Sequence, residues 1–237
     1  MDTFTIDAFS PQEDEFALLA LGVPSVYRAF FDPRRLSEVA RWLDPHVWTN
    51  CSNDWIEVWR NFLLNVADGK TERLLLKSPN HTFRIGALLK AFPNASYIWV
   101  VRDPEEVLFS NRKMWTSMFD EYALWDWQMP KLDAFLRQAF CHAGECLEHA
   151  THALPKNRLI VINFDDLIQT PLKTVEAINH RLLLGDWSQT KGLIEAAASK
   201  VDYRKDSYCA DDTIQEVKEA MRHLREIQQY ALINHGV

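Results

Sequence analysis

Two short segments of the sequence carry side chains that suit the transfer of an anionic group. Lys77 and His81 lie in the segment KSPNH, and Arg102 precedes Ser110 by eight residues. Lysine can neutralise the charge on a leaving oxygen, and histidine can take a proton from a hydroxyl near neutral pH. A guanidinium and a hydroxyl at this spacing can bind one phosphate together.

Each of these segments also has a simpler explanation. Arg102 can pair with a neighbouring carboxylate while Ser110 merely lies on a helix, and the spacing alone favours this interpretation. Lys77 can be solvated while His81 caps the following helix. The residues alone support this interpretation and a catalytic role equally well. The residues by themselves therefore leave the chemistry of both segments open.

Apolar runs of strand length precede both segments. The runs over 74–77, 97–101 and 159–163 resemble strands buried on both faces, and a helix is predicted after each of them. This alternation predicts an α/β fold in which the three runs are adjacent strands of a parallel sheet flanked by helices. Because ligands bind at the carboxyl ends of parallel strands, we expect Lys77 and Arg102 to open into one cleft.

Helical periodicity marks much of the remaining chain. Apolar residues recur at the spacing of one helix face, which predicts helices over 53–66, 105–118, 131–154, 172–184 and 212–234. The helix over 131–154 carries two cysteines and three histidines, but it lacks the CxxC or HxxxH spacing of zinc sites. We therefore expect ordinary packing there, and no metal. Asp165 and Asp166 would suit a base or metal pair, or would simply end the third strand.

Composition excludes several classes of protein. The 237 residues include 47% hydrophobic and 25% charged residues, and no linker or repeat divides residues 1–237, so we expect a single domain. The net charge of −7 does not favour binding to nucleic acid or to an anionic membrane, both of which are negatively charged. No run spans a bilayer and the start is acidic, so we expect a cytoplasmic protein. Free thiols are expected at Cys51, Cys141, Cys146 and Cys209.

The motifs, taken in order, resemble one enzyme family: the sulfotransferases that use 3′-phosphoadenylyl sulfate (PAPS), especially their bacterial and fungal branch. The resemblance is carried by SPQEDEFALL, by LLLKSPNHTFRIGALLKAFPNASYIWVVRDPEEVLFS, by INFDDLIQTPLKTVEAINHRLLLGDW and by the loop around Tyr203. These blocks cover most of the chain. They imply the P-loop-containing nucleotide-hydrolase-like fold of that family, and they make Asp165 and Asp166 a structural strand end.

The resemblance also implies a role for each candidate residue. Arg102 and Ser110 would hold the 3′-phosphate of the nucleotide, and Tyr203 would also contact the nucleotide. Lys77 would contact the bridging oxygen, and His81 would be the base, although it is displaced by two residues from the histidine of KTH-type relatives. The implied reaction moves a sulfuryl group from PAPS to a hydroxyl or amine of a small-molecule acceptor, without a metal. An apolar acceptor pocket is expected near three tryptophans: Trp115, Trp125 and Trp127.

One motif of the family is missing from the sequence. The family opens with a strand and a PxRSGTT-type loop whose backbone N–H groups hold the 5′-phosphosulfate, and none of the seven glycines lies in such a context. We therefore expect an N-terminally truncated version of the fold. The chain would be a fragment or shortened gene product, or a second chain would supply the strand and loop, or the protein would be a non-catalytic homologue that binds nucleotide or a partner. A nucleotide kinase is a poorer alternative, because no GxxxxGK[ST] occurs.

Overall fold

A parallel pair of strands forms the sheet of the computed structural model, which describes residues 10, 12–50, 53–69, 73–200, 203 and 218–237. Strand β1 (Tyr97–Val101) pairs with β2 (Leu159–Asn163) in register, so that Tyr97 lies opposite Leu159 and Val101 opposite Asn163. The connection between the two strands is helical, as parallel pairing requires. The predicted strands over 97–101 and 159–163 are confirmed.

Helices make up most of the described chain. The α-helices of this part are α1 (Asp14–Ala20), α2 (Leu36–Val39), α3 (Pro45–Thr49), α4 (Asn53–Ala67), α5 (Ile85–Ala91), α6 (Pro104–Tyr122), α7 (Met129–Ala153), α8 (Phe164–Gln169), α9 (Pro171–Leu182), α10 (Trp187–Ala198) and α11 (Lys218–His235). Short 3-10 helices lie at Val26–Phe30, Pro33–Arg35, Ala40–Leu43 and Pro79–Arg84. The helices predicted over 53–66, 105–118, 131–154 and 172–184 are confirmed, and the start of the one over 212–234 lies outside the described residues.

The strand predicted over 74–77 is wrong. Residues 73–78 have no regular secondary structure, and Leu75 is 86% exposed. A short apolar run becomes a strand only when a neighbouring strand satisfies its backbone N–H and C=O groups. Within the described ranges the sheet contains β1 and β2 alone, so these residues have no such neighbour.

The two long helices α7 and α11 pack against each other and bury much of the core. Leu147 of α7 and Met221 of α11 are almost inaccessible to solvent. Gly144 permits the close approach, because a Cβ at this position would lie 3.1 Å from the Cδ1 atom of Ile227. The end of α11 also reaches the sheet, where Gly236 makes a parallel bridge with Val161. One side of β2 is therefore covered, while β1 keeps an open edge.

Candidate active site

Local capping fixes the turn of the chain between Lys77 and His81. The Ser78 side chain accepts a hydrogen bond from the Asn80 backbone N–H at 3.3 Å, and Pro79 occupies the first position of the 3-10 helix. Such capping fixes the point at which an extended segment turns into a helix. Lys77 therefore ends the extended segment, and His81 lies on the first turn of the helix.

Three consecutive acidic residues bind three basic residues of this segment. The pairs are Glu13 with Lys77, Asp14 with His81, and Glu15 with Arg84. The side chains of Arg84 and Glu15 are 2% and 0% exposed, so each charge is compensated by the other rather than by water. The start of α1 is thereby tied to the KSPNH segment by ion pairs that span more than sixty residues of sequence.

The imidazole of His81 is held on one side and without a partner on the other. Its Nε2 atom lies 3.1 Å from Oδ2 of Asp14, and the same oxygen accepts a hydrogen bond from Nε1 of Trp59 at 2.8 Å. Its Nδ1 atom is shielded from solvent and has no hydrogen-bond partner in the described part of the chain. Burial raises the pKa of Asp14, but the hydrogen bond and charge of His81 and the hydrogen bond from Trp59 outweigh burial and lower this pKa below 3.8.

A row of three tryptophans packs against His81 and Arg84. The ring centroids of Trp48 and Trp55 lie 4.9 Å apart, those of Trp55 and Trp59 lie 5.1 Å apart, and Trp59 lies 5.1 Å from the His81 ring. The guanidinium of Arg84 lies over Trp48 at 4.6 Å. Aromatic and cation–π contacts of this kind stabilise a fixed geometry. His81 consequently has little freedom to change its orientation.

Lys77 faces a large cavity. Its side chain is 78% exposed and donates to Glu13, whose other carboxylate oxygen accepts a hydrogen bond from the Tyr27 hydroxyl at 3.1 Å. Lys77 and His81 both line a cavity of about 900 Å³. Residues 74–78 line this cavity together with residues 94–100, which include most of β1. An anion bound in this cavity must therefore share the Lys77 ammonium with Glu13 or displace it.

Arg102 and Ser110 line a second, smaller cavity of about 390 Å³. Asp103 caps α6 by accepting the backbone N–H of Glu105 at 2.9 Å, which fixes Arg102 just before the helix and Ser110 two turns into it. Farther inside, the cavity is lined by Trp115, Phe135 and Phe140, among other apolar side chains. The arrangement combines a cation and a hydroxyl with an aromatic wall.

The guanidinium of Arg102 already has polar partners. Its Nε donates to Glu106 at 2.9 Å, and an NH2 group donates to the Tyr203 hydroxyl at 2.8 Å. The ring of Phe164 lies 4.7 Å from the guanidinium carbon. The carboxylate partner that the simpler interpretation of the sequence required is Glu106. A phosphate that binds Arg102 must therefore share or displace these contacts.

The two cavities share a wall. Four residues line both of them: Pro79, Thr82, Trp99 and Val100. Lys77 and Arg102 thus open into adjoining cavities rather than into a single one. The structure brings Lys77 and His81 together in one cavity, Arg102 and Ser110 together in the other, and Tyr203 onto Arg102.

The tryptophans proposed for the acceptor pocket lie in different places. Trp115 lines the smaller cavity. Trp125 is half exposed and carries the guanidinium of Arg34 on its ring at 3.6 Å, while Trp127 donates to Asp120 at 3.2 Å. The observed geometry therefore links only Trp115 to the candidate site.

The other candidate residues of the sequence are the two aspartates after β2 and the four cysteines. Asp165 and Asp166 lie in the first turn of α8, where the Asn163 side chain accepts the Asp165 backbone N–H. Cys141 is exposed and Cys146 is buried, whereas Cys51 and Cys209 lie outside the described residues. In the ranges that the structure describes, no group of three or more His, Cys, Asp or Glu side chains is placed to hold a metal ion. None of the helices described is both long and apolar enough to cross a membrane.

Sequence reasoning missed the carboxylates that hold the candidate residues. Glu13 and Asp14 belong to the acidic triplet of SPQEDEFALL, and Glu106 lies one turn after Arg102. The pairing of Glu106 could have been found from its i,i+4 spacing. The other two could not, because nothing local indicates which distant basic residue a carboxylate will meet.

Comparison with known proteins identifies the family of the chain. A family model described as the sulfotransferase family matches residues 6–189. The chain belongs to the sulfotransferase family. Its curated relatives include the omega-hydroxy-beta-dihydromenaquinone-9 sulfotransferases Stf3 of Mycobacterium bovis and of Mycobacterium tuberculosis, each 27% identical over 213 residues. The alignment covers 88% of this chain and 54% of each relative, so the chain spans about half the length of the curated relatives it matches. No solved structure matches the chain significantly.

Family membership confirms the resemblance found in the sequence. A helix-rich α/β structure with a small parallel sheet fits this family. The matched residues include Lys77, His81, Arg102 and Ser110, whereas Tyr203 and α11 lie beyond them. The four residues thus belong to the part of the chain that defines the family.

Proposed function

We propose that the site transfers a sulfuryl group from PAPS to a hydroxyl or amine of a small-molecule acceptor. The observation that carries this proposal is the pair of adjoining cavities, with Lys77 and His81 in one and Arg102 and Ser110 in the other. A nucleotide that carries a 3′-phosphate and a 5′-phosphosulfate needs two such anion sites, because its two charged ends lie apart. The two cavities offer a basic residue at each.

The proposed chemistry is an in-line displacement at sulfur. The acceptor oxygen forms a bond to sulfur while the bond from sulfur to the bridging oxygen breaks, and adenosine 3′,5′-bisphosphate leaves. Lys77 neutralises the charge that develops on the bridging oxygen, and His81 takes the proton of the acceptor. Arg102 and Ser110 hold the distant 3′-phosphate, and this binding energy positions the reacting end.

For the acceptor we favour a hydroxyl on a largely apolar molecule. The Stf3 relatives are named as sulfotransferases of omega-hydroxy-beta-dihydromenaquinone-9. In this chain the aromatic wall of Trp115, Phe135 and Phe140 offers apolar surface next to the candidate site. These two observations support an acceptor whose hydroxyl is presented at the end of an apolar body.

We propose further that an additional strand completes the sheet along the open edge of β1. The Tyr97 backbone N–H donates to Arg158 at 2.7 Å, so the alternation of a parallel ladder turns the N–H and C=O groups of Ile98 and Val100 away from β2. The side chains of Ile98 and Val100 are 38% and 47% exposed, which is unusual for strand residues of this kind. A second chain that supplies a parallel strand, followed by the glycine-rich loop absent from these 237 residues, would cover this edge.

The strand would also complete the anion site. A parallel strand beside β1 ends at the same edge as Arg102, so a loop that follows it would bring backbone N–H groups toward the 5′-phosphosulfate. The 237-residue chain by itself is therefore expected to show at most weak turnover of PAPS. Fusing the strand and loop of a longer relative to the chain is expected to restore transfer.

The test uses PAPS labelled with ³⁵S and a panel of acceptors. Both the chain alone and the strand-completed fusion are incubated with a long-chain isoprenoid alcohol, a short alcohol and an amine of matched length. The proposal predicts labelled product chiefly with the fusion and the long-chain alcohol. Robust transfer by the unmodified chain would contradict the need for the strand, and label on the amine alone would contradict the hydroxyl acceptor.

A further inference from the structure

The His81 ring contains a buried nitrogen without a partner. Its Nδ1 atom has no hydrogen-bond partner among the described residues, although it is shielded from water. A buried polar atom of this kind destabilises the structure unless another group pairs with it. His81 lines the larger cavity beside Lys77, so a molecule bound there that reaches Nδ1 would supply the missing partner.

The partner of the other nitrogen determines which kind of group is missing. An ionised carboxylate only accepts hydrogen bonds, and Oδ2 of Asp14 already accepts one from Trp59. The lowered pKa keeps Asp14 ionised at neutral pH. Nε2 of His81 must therefore carry the hydrogen that it donates to Asp14 across 3.1 Å. In the neutral imidazole this leaves Nδ1 as a bare acceptor.

The geometry points to Asp14 as the positioning residue that makes Nδ1 of His81 the atom that receives the acceptor's proton. This inference rests on the proposed sulfuryl transfer and names how its base is prepared. Asp14 fixes the tautomer and the ring orientation, while Trp59 fixes Asp14. The acceptor hydroxyl donates to Nδ1 and loses its proton to that atom as its oxygen bonds to sulfur. The electron pair of the broken bond stays on the bridging oxygen of the released bisphosphate beside Lys77.

The carboxylate also stabilises the product of proton transfer. Once Nδ1 is protonated, the ring carries a positive charge in a poorly hydrated place, and the charge of Asp14 lies at hydrogen-bond distance from it. Glu13, by contrast, binds Lys77, and Glu15 binds Arg84. Of these three acidic residues, Asp14 is the one that pairs with His81, so substitution can distinguish it from the other two.

The direct test is the tautomer of His81, which can be measured without turnover. Imidazole ¹⁵N spectra of the neutral ring are recorded on the full chain, and His81 is assigned among the eight histidines by comparison with His81→Gln. The inference predicts hydrogen on Nε2 and none on Nδ1 in the wild type, with a mixture of tautomers in Asp14→Ala. Hydrogen on Nδ1 in the wild type would overturn it, and this measurement does not depend on the folding of any Asp14 variant.

Two further variants separate positioning from folding. In Asp14→Asn the amide oxygen can still accept both hydrogen bonds, so the Nε2 tautomer is expected to persist while the negative charge is lost. Glu15→Gln weakens the neighbouring buried pair with Arg84, so it should lower stability but leave the His81 tautomer unchanged. A tautomer change in Glu15→Gln as large as that in Asp14→Ala would show that the spectrum reports general loosening, and would refute a specific role for Asp14.

Activity of the strand-completed enzyme provides the second readout. Asp14→Ala should lower kcat at least about tenfold, and it should have no further effect in a His81→Ala background, because Asp14 acts through His81. Additive losses would overturn the inference. The expected tautomer together with no sulfuryl transfer under any condition would instead refute the proposed function, and normal transfer with the wrong tautomer would refute this inference alone.

Discussion

Replacement of Arg102 by alanine is the sharpest test of the nucleotide site. Arg102 is the cation of the smaller cavity, and Ser110 lines the same cavity. If these residues bind a 3′-phosphate, adenosine 3′,5′-bisphosphate should bind more tightly than AMP, which lacks that group. Arg102→Ala should remove most of the difference while leaving the affinity for AMP nearly unchanged.

The size of the effect follows from the contacts that Arg102 has without ligand. A charge-assisted hydrogen bond contributes about 1.5–3 kcal/mol. In the structure the guanidinium already pairs with Glu106 at 2.9 Å, and an ion pair at a partly exposed site is worth up to about 1 kcal/mol, which binding must replace. The net loss expected for Arg102→Ala is therefore about 0.5–2 kcal/mol, or roughly 2- to 30-fold in affinity for the bisphosphate.

Titration calorimetry with both nucleotides measures this difference. Arg112→Ala is the matched control, because it removes a guanidinium from α6, the helix that follows Arg102. Arg112 pairs with Asp133 at 2.9 Å and is not among the residues lining the cavity. Equal affinities of the wild type for the bisphosphate and AMP would refute the phosphate site. An equal loss in Arg102→Ala and Arg112→Ala would show that the effect is general electrostatics or misfolding.

Three further predictions concern the stability and reactivity of the fold. Leu147→Ala should lower the free energy of unfolding by about 2–5 kcal/mol in a denaturant titration, whereas truncation of the exposed Leu193 should change it little. Burial raises the pKa of the Cys146 thiol to about 12, so iodoacetamide at pH 8 should label exposed Cys141 well before Cys146, and equal rates would contradict the packing of α7. Because the folded-state pKa of Asp14 lies below 3.8, its stabilising contribution is present above that pH and is lost as the pH falls through the lowered value. Wild type should therefore lose more stability than Asp14→Asn in acid unfolding below pH 3.8, and parallel curves would contradict the pairing with His81.

The helices and two strands could be predicted because their signals are local. The helical period over 131–154 appears in the structure as α7, and the apolar runs over 97–101 and 159–163 appear as β1 and β2. The run over 74–77 is also apolar up to its last residue but is not a strand: it lacks the β-branched residues of the other two runs, and strand formation also depends on a neighbour.

The candidate site was predictable only in part for the same physical reason. The positions of Arg102 and Ser110 follow from the end of β1 and the start of α6, and that of His81 follows from the capped 3-10 helix, which are local features. Lys77, by contrast, does not end a strand. The contacts of Glu13 and Asp14 join residues more than sixty positions apart, and they depend on how α1 packs against the KSPNH segment. Tertiary packing thus decides which carboxylate contacts His81, although the sequence can indicate His81 as a candidate residue.

The central claim is that His81 and Lys77 carry out sulfuryl transfer while Arg102 and Ser110 hold the nucleotide. The most direct measurement compares wild type and His81→Ala of the strand-completed enzyme in two assays, steady-state transfer from ³⁵S-labelled PAPS and binding of adenosine 3′,5′-bisphosphate. A general base contributes about 10²–10⁴-fold in rate, so kcat should fall by about this factor while the affinity for the bisphosphate stays within about twofold. An unchanged kcat in His81→Ala, with the protein folded as judged by its nucleotide affinity, would contradict the account and move the base to another residue.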